Sequence, residues 1–389
     1  MRRFPSPEVI LIGAGIGGLS TALGLQRHGH QVAIYEQAAV LGEVGAGVML
    51  SPNATRILRD WGLGEALVRI GYRPRFTAVR DGLSGEELST TPLGQDGFHA
   101  DGSPFLHVHR ADLYALLLEA VRDADPSCLN LGCTLTDVTQ DGEFATATFA
   151  HGERVHGAVL VGADGNKSRV RQYVAAGATS TFTGNLAWRG LVPASALRPE
   201  QRVPESLVFV GHRRHVVRYL LRGGTLMNYV AIAERAAWED DGWSVRSTVR
   251  EVLAEFEGWH PDVVDILAAT PPDACYKWGL FDHDPLPRWV QGRVALLGDA
   301  AHPMLPFMAQ GAVMAIEDAA VFARLYAAHD DPCAALRAYE QARLPRASWV
   351  QWQSRQNARL YHDGSAGRQF DADRALRAER LYDYDATKE

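Results

Sequence analysis

The sequence predicts an α/β protein: a discontinuous Rossmann-like domain, an inserted strand-rich α+β domain, and helices closing the C-terminus. Three observations carry this expectation. A short apolar strand near the N-terminus ends in glycines and leads into a helix. Alternating strands fill the middle of the chain. A second apolar strand, followed by a long helix, returns near residue 294. The 389 residues, 47% hydrophobic and 22% charged, suffice for two domains with large cores.

Val9-Ile10-Leu11-Ile12 is a β-branched run of the kind that forms a strand buried on both faces. Ile16 to Arg27 reads as a helix and Gln31 to Glu36 as the next strand, which makes a βαβ opening. Ser51-Pro52 marks the start of a helix over Asn53–Trp61. A second helix, Arg110–Arg122, gathers Leu113, Leu116, Leu117 and Ala120 on one face. Short alternating strands run from Cys133 to His156, and Ala158–Gly162 is another buried strand. Thr179 to Ala233 is strand-rich with a turn at Gly223-Gly224, as in an antiparallel sheet. Helices are expected over Ser244–Glu257 and Asp262–Ala269. Val294–Gly298 then restores the α/β pattern, Gly311–Ala328 is a long helix, and the charged tail from Pro332 is helical. The expected division is 1–71, 100–177 and 276–335 for the first domain, 72–99 and 178–275 for the inserted one, and 336–389 for a C-terminal helical segment.

Composition excludes several classes. The formal net charge is −7 and no dense Lys/Arg block occurs, so no nucleic-acid partner is expected. No run of 18 apolar residues exists, so neither is a membrane partner. Cys128, Cys133, Cys275 and Cys333 form no CxxC pair and read as reduced structural thiols, which points to the cytoplasm. The histidines show no metal-ligand spacing, so no metal is expected.

Three separated motifs carry the chemistry. Gly13-x-Gly15-x-x-Gly18 permits a tight turn, close backbone approach to a pyrophosphate, and exposure of a helix N-terminus to it. Glu36, at the end of the following strand, can accept hydrogen bonds from both ribose hydroxyls. Asp299 in Gly298-Asp299-Ala-Ala-His302-Pro303 lies at a strand end facing the same crevice, where it can hold a sugar-alcohol chain; helix capping is the plain alternative. Gln310-Gly311-Ala312 opens the long helix, whose N–H groups and dipole favour negative charge. Asp164, in Gly162-Ala-Asp164-Gly165 through Ser168-Arg169-Val-Arg171, is either a ligand-binding turn or an N-cap.

Together these segments resemble the class A flavoprotein monooxygenases, the single-component aromatic hydroxylases. The resemblance covers nearly the whole chain. It includes Gly45-Ala46-Gly47, His109-Arg110-x-Asp112-Leu113, Leu297 to Met304, Ala309 to Ala312, and Ala315 to Ala319. Pro285-Leu-Pro-x-Trp289 is particularly like salicylate and 3-hydroxybenzoate hydroxylases and 6-hydroxynicotinate 3-monooxygenase. The family resemblance implies an FAD-binding domain whose cofactor contacts also include Gln37, Gly47, Val48, Arg110 and Leu135. It further implies NADH or NADPH as reductant, dioxygen as oxidant, a small aromatic substrate hydroxylated through a flavin hydroperoxide, and a homodimer.

His215 and Tyr219, four apart in a predicted strand, point to one face and can line one pocket. Their spacing is similar to a His/Tyr pair near substrate in the hydroxybenzoate and hydroxynicotinate enzymes. A histidine can serve there as base, and a tyrosine can relay a proton or hold a phenolate. An ordinary sheet histidine and a packed tyrosine are the alternative. His302, Met49, Phe307 and Met308 fall where relatives line the substrate cavity, although packing also explains them; Met49 stands where the hydroxynicotinate enzyme carries a histidine. Two other functions fit the motifs: a monooxygenase or epoxidase of larger polyketide-like substrates, and a non-oxygenating flavin dehydrogenase or flavin-binding protein.

Overall fold

The structure is a computed structural model that describes residues 7–42, 46–177, 180–238, 244–272, 274–362 and 379–388. Gly45, named above, lies outside them. Two sheets dominate. The first has six strands in the order Val290–Gln291, Val294–Leu296, Val159–Gly162, Val9–Ile12, Val32–Glu36 and Leu129–Leu131. All neighbours are parallel except the first pair. Val9 lies between Val32 and Val159, and Leu160 beside Val294. The late strand therefore returns next to the early ones, as the resumed pattern requires. Helices Ile16–Arg27 and Gly311–Ala328 pack together over this sheet, where a Cβ on Gly24 would lie 2.9 Å from Ala323.

The second sheet has eight strands, ordered Ser244–Arg246, Tyr276–Asp282, Thr181–Pro193, Leu226–Glu234, Arg214–Leu221, Ser206–Gly211, Phe76–Asp81 and Glu87–Pro92. One face is sealed by helices Val249–Glu255 and Pro261–Ala268 through Trp188, Tyr229, Phe256, Val263 and Ile266. The opposite face carries Ala187, Ile232 and Leu280 against Leu305 and Phe307 of the first domain.

One stretch expected in the first domain joins the second sheet. Tyr276–Asp282 pairs antiparallel with Thr181–Pro193, Ala187 opposite Trp278, so the inserted domain runs past 275 to Asp282. Alternation alone did not separate this strand from the α/β pattern that resumes behind it. The terminal helix starts at Pro332, where the charged tail is expected to be helical, and continues to His362. Along it Tyr339, Arg343 and Val350 are fully buried, so it belongs to the core as much as to the surface.

Candidate active site

The first glycine turn is shaped by contact. Gly13 has φ +104°, and a Cβ there would meet the Ala163 carbonyl at 2.5 Å. Gly15 is the N-cap of Ile16–Arg27 with no side-chain cap, and a Cβ on it would meet nothing within 4 Å. That helix end thus opens into free space with its N–H groups unspent. Gly18 packs directly behind Gly13. Glu36 sits at the edge of this opening. Its carboxylate accepts from the Ala14 N–H at 2.9 Å and the Ala38 N–H at 2.8 Å, and Gln37 beside it is exposed. Leu135 is buried at the start of its strand, while Val48 and Arg110 are half-buried. Arg110 donates its backbone N–H to Ala46, joining two of the segments named above.

Across the sheet edge, Asp299 is exposed between buried Gly298 and Ala300. Its carboxylate has no hydrogen-bond partner among the described residues, although Arg171 holds the turn by donating to the carbonyls of Asp299 and Ala300 at 3.1 and 3.2 Å. A Cβ on Gly311 would lie 3.9 Å from that carboxylate. The helix beginning there also lacks a side-chain cap, and Gly311 and Ala312 are half-buried. Two open helix N-termini and an unpartnered strand-end carboxylate therefore border one crevice. Such donors and acceptors could hold an extended dinucleotide, its pyrophosphate suited to the first helix end and a polyol to the Asp299 carboxylate.

The face of the eight-stranded sheet that carries Ala187, Ile232 and Leu280 brings further candidates together. His215 pairs with Ile232, Val217 with Val230 and Tyr219 with Asn228, while Arg189 pairs with Val230 from the other side. Alternation puts His215, Tyr219, Asn228 and Arg189 on one face. Asn228 accepts from the Gly47 N–H at 2.8 Å, and a Cβ on Gly47 would lie 2.5 Å from the Tyr219 hydroxyl oxygen. Only glycine allows these two domains to meet so closely. His215 is 1% exposed, with Tyr361 stacked at 4.8 Å, Phe307 at 5.4 Å and His362 bonded at 2.8 Å. Burial and the adjacent His362 keep its imidazole well below the usual histidine range. Burial likewise pushes the Tyr219 phenol up, only partly opposed by Arg189.

The comparisons agree with this geometry. A family described as an FAD binding domain matches residues 6–354. A 3-amino-4-hydroxybenzoate 2-monooxygenase of Streptomyces platensis is 39% identical, over 97% of this chain and 94% of that protein. A 3-hydroxybenzoate 6-hydroxylase of Aquipseudomonas alcaligenes is 37% identical, over 92% and 91%. The solved structure of Klebsiella pneumoniae HpxO with FAD and uric acid superposes with a TM-score of 0.83 at 28% identity, covering 96% and 94%. The chain belongs to the FAD-dependent aromatic monooxygenases.

Within this monooxygenase some expected contacts take other roles. His302 is fully buried: its Nε2 lies 2.5 Å from Asp318, and its ring packs on Trp289 at 5.1 Å. Its imidazole is thus enclosed between the Asp318 carboxylate and the Trp289 ring, as structural packing requires. The Gln310 amide is also turned inward, bonded to Ser51 at 3.1 Å, so only its backbone faces the crevice. Asp164 spends its carboxylate on the Ser168 hydroxyl and the N–H groups of Arg169 and Val170 at 2.5, 2.7 and 3.2 Å, while Ser168 itself is the N-cap of Arg169–Val174, accepting from the Arg171 N–H at 2.9 Å. Burial raises this carboxyl. Met49 and Met308 are half-buried and Phe307 is buried beside His215.

Arg189 is the residue that sequence reading passed over. It is half-buried, lies 5.5 Å over the Trp278 ring, and has no hydrogen-bond or ion-pair partner among the described residues; its Nε is completely enclosed. Burial, and then Arg110, lower its affinity for a proton, while Tyr219 opposes them. The available signal was one arginine within the apolar strand Asn185-Leu-Ala-Trp-Arg-Gly-Leu-Val192. The face it occupies becomes evident only after the strands are paired.

Proposed function

We propose that this monooxygenase hydroxylates a small phenolic carboxylate of the hydroxybenzoate or salicylate kind, consuming NADH or NADPH and dioxygen. The observation that carries the reading is the unpaired guanidinium of Arg189 on the same sheet face as His215 and Tyr219. A half-buried cation with no ion-pair partner among the described residues favours an anionic ligand, and a guanidinium matches a carboxylate in a two-pronged geometry. The hydroxybenzoate relatives support the same class.

Bound FAD supplies the reduction and activation of dioxygen. The crevice residues that fit it are Gly13, Gly15, Gly18, Glu36, Gln37, Gly47, Val48, Arg110, Leu135, Asp299, Gly311 and Ala312, with Gln310 contributing only its backbone. Arg189 orients the substrate by its carboxylate, so that the ring lies over the face bounded by Phe307, Met49 and Met308. His215 accepts the proton of the substrate hydroxyl at Nε2, which raises the electron density of the ring. Tyr219, kept protonated, donates a hydrogen bond to the oxygen that becomes negative. Phe307 and Tyr361 exclude water from the base. The four free thiols suit a reducing, cytoplasmic setting.

The test is oxidation of NADH or NADPH in air by the purified flavoprotein, with 3-hydroxybenzoate, salicylate and neutral phenols offered in parallel. Stimulated cofactor oxidation with a ring-hydroxylated acid as product supports the reading. Peroxide as the sole product, or preference for the neutral phenols, overturns it.

A further inference from the structure

The end of the last helix brings a second histidine against the first. His362, the final residue of Pro332–His362, places Nε2 2.8 Å from His215 Nδ1. Its own Nδ1 lies 3.0 Å from a Glu234 carboxylate oxygen. Glu234 ends the strand beside His215, is about one-third exposed (32%), and receives the Arg213 Nε–H at 2.7 Å through its other oxygen. The backbone locks this arrangement: the Arg213 N–H donates to the His362 carbonyl and the Glu234 N–H to the Arg213 carbonyl, both at 3.0 Å. The chain of groups leads from a base that is 1% exposed to a carboxylate at the surface.

We propose that Glu234 and His362 are positioning residues that fix the tautomer of His215 and conduct the proton it accepts to the protein surface. This rests on the reading of His215 as the base. A carboxylate can only accept, so His362 carries its hydrogen on Nδ1 and presents the lone pair of Nε2. His215 must then hold its hydrogen on Nδ1, which leaves the lone pair on its Nε2. That atom has no hydrogen-bond partner among the described residues. One ionised side chain at the rim thus decides which nitrogen of a buried ring is basic.

The transfer balances without any redox change. The substrate O–H bond breaks as an N–H bond forms at His215 Nε2. The His215 Nδ1 hydrogen moves to His362 Nε2, and the His362 Nδ1 hydrogen moves to Glu234. One phenolate is formed, and one proton resides on the surface carboxylate. Run backwards, the chain returns a proton to the product oxygen and restores the starting tautomers.

The surroundings support these states. Burial pushes His362 down despite Glu234, and Arg213 adds to the effect, so the ring is neutral at rest. Burial opposes ionisation of Glu234, but Arg213 and His362 hold its carboxyl below the usual range. The groups against the pair are Glu234 at a strand end, Arg213 in the turn before Arg214–Leu221 and Tyr361 on the helix, with Phe307 supplying apolar cover. Among the described residues, no other carboxylate bonds to either ring.

Two variants of the FAD-loaded protein test the proposal. His362→Phe keeps an aromatic ring in the cluster and removes both nitrogens; Glu234→Gln keeps the shape and removes the charge. The imidazole 15N spectrum, with His215 assigned by its loss in His215→Gln, reads the tautomer without turnover. The wild type should show His215 protonated at Nδ1, and His362→Phe should shift it towards Nε2. Hydroxylation of an ordinary phenolic acid should fall about tenfold or more in both variants, with FAD content and the KM for the nicotinamide unchanged. An analogue whose hydroxyl is already ionised at the assay pH should restore the rate. A wild-type His215 protonated at Nε2, or equal losses with both phenols, overturns the relay. Should the wild type hydroxylate no phenol while His215 still shows the Nδ1 form and shifts in His362→Phe, the assigned reaction fails and the tautomer control stands.

Discussion

Asp299 and Asp164 show how differently two similar acids behave at strand ends. Both follow an apolar strand and a glycine or small-residue turn, and from sequence both read as ligands or caps. Asp164 is consumed by three donors of its own turn, whereas Asp299 faces the crevice with its carboxylate unspent. Replacing Asp299 by Ala should therefore lower FAD retention, measured as the flavin-to-protein ratio after gel filtration, with little change in Tm of the apoprotein. Full flavin occupancy would remove Asp299 from the cradle. Arg189→Met should raise the KM for a hydroxybenzoate about 10- to 100-fold, the loss of a charge-assisted pair worth ~1.5–3 kcal/mol, while that for a neutral phenol stays level. An equal rise for both would mean that Arg189 only packs. The glycine turn and Glu36 were legible because their meaning is local: turn geometry and strand-end position follow from neighbours in the chain. The burial of His302 was not legible for a related reason, since closeness in sequence to Asp299 does not set the direction of a side chain in a turn.

The elements owe their placement to buried charge as well as to apolar packing. Asp318, inside Gly311–Ala328, accepts from the Gly298 N–H at 3.0 Å and Arg343 at 2.7 Å, and faces His302. Glu317 beside it pairs with Arg343 and Arg346, each at 2.7 Å. This network fixes the long helix and the terminal helix to the turn that presents Asp299. Burial would raise the Asp318 carboxyl, but His302 and Arg343 hold it at about 2. Because that lies below the value of about 3.9 in an unfolded chain, the stabilisation is complete above pH ~4 and is lost as the pH falls towards 2. Urea unfolding should show this acid loss in the wild type and a flatter profile in Asp318→Asn. Arg343→Met should cost about 3–5 kcal/mol in the same measurement, since it leaves two carboxylates buried with less compensation. The helix over 311–328 was visible from its composition. Its ion pairs were not, because the partners come from positions 25 or more residues away and an amphipathic pattern does not encode them.

At the scale of the molecule, both halves and the last helix must meet for the site to exist. Tyr219 and Asn228 on the inserted sheet touch Gly47 of the first domain, and the end of the terminal helix reaches His215. The discontinuous domain and the strand-rich insertion were foreseen because strand period and apolar runs are properties of segments. Arg189 and His362 were not, as their roles depend on pairings that no segment contains. Beyond residue 378, the chain docks back: Arg56 donates to the carbonyls of Tyr384 and Tyr382 at 2.7 and 3.1 Å, and Arg346 lies 3.7 Å over the Tyr384 ring. Deletion of residues 379–389 should lower Tm by removing acceptors of a largely buried arginine, roughly 1–3 kcal/mol, while FAD still binds. An unaltered melting curve would show the tail to be dispensable.

The placement of His362 so late in the chain has a consequence for how the enzyme is made. A ribosome releases the strand that bears His215 well before residue 362 emerges, so in a nascent polypeptide that ring still lacks the partner bonded to its Nδ1. A polypeptide stopped before residue 343 would lose in addition the Arg343 pair with Asp318 that ties the terminal helix to the long one.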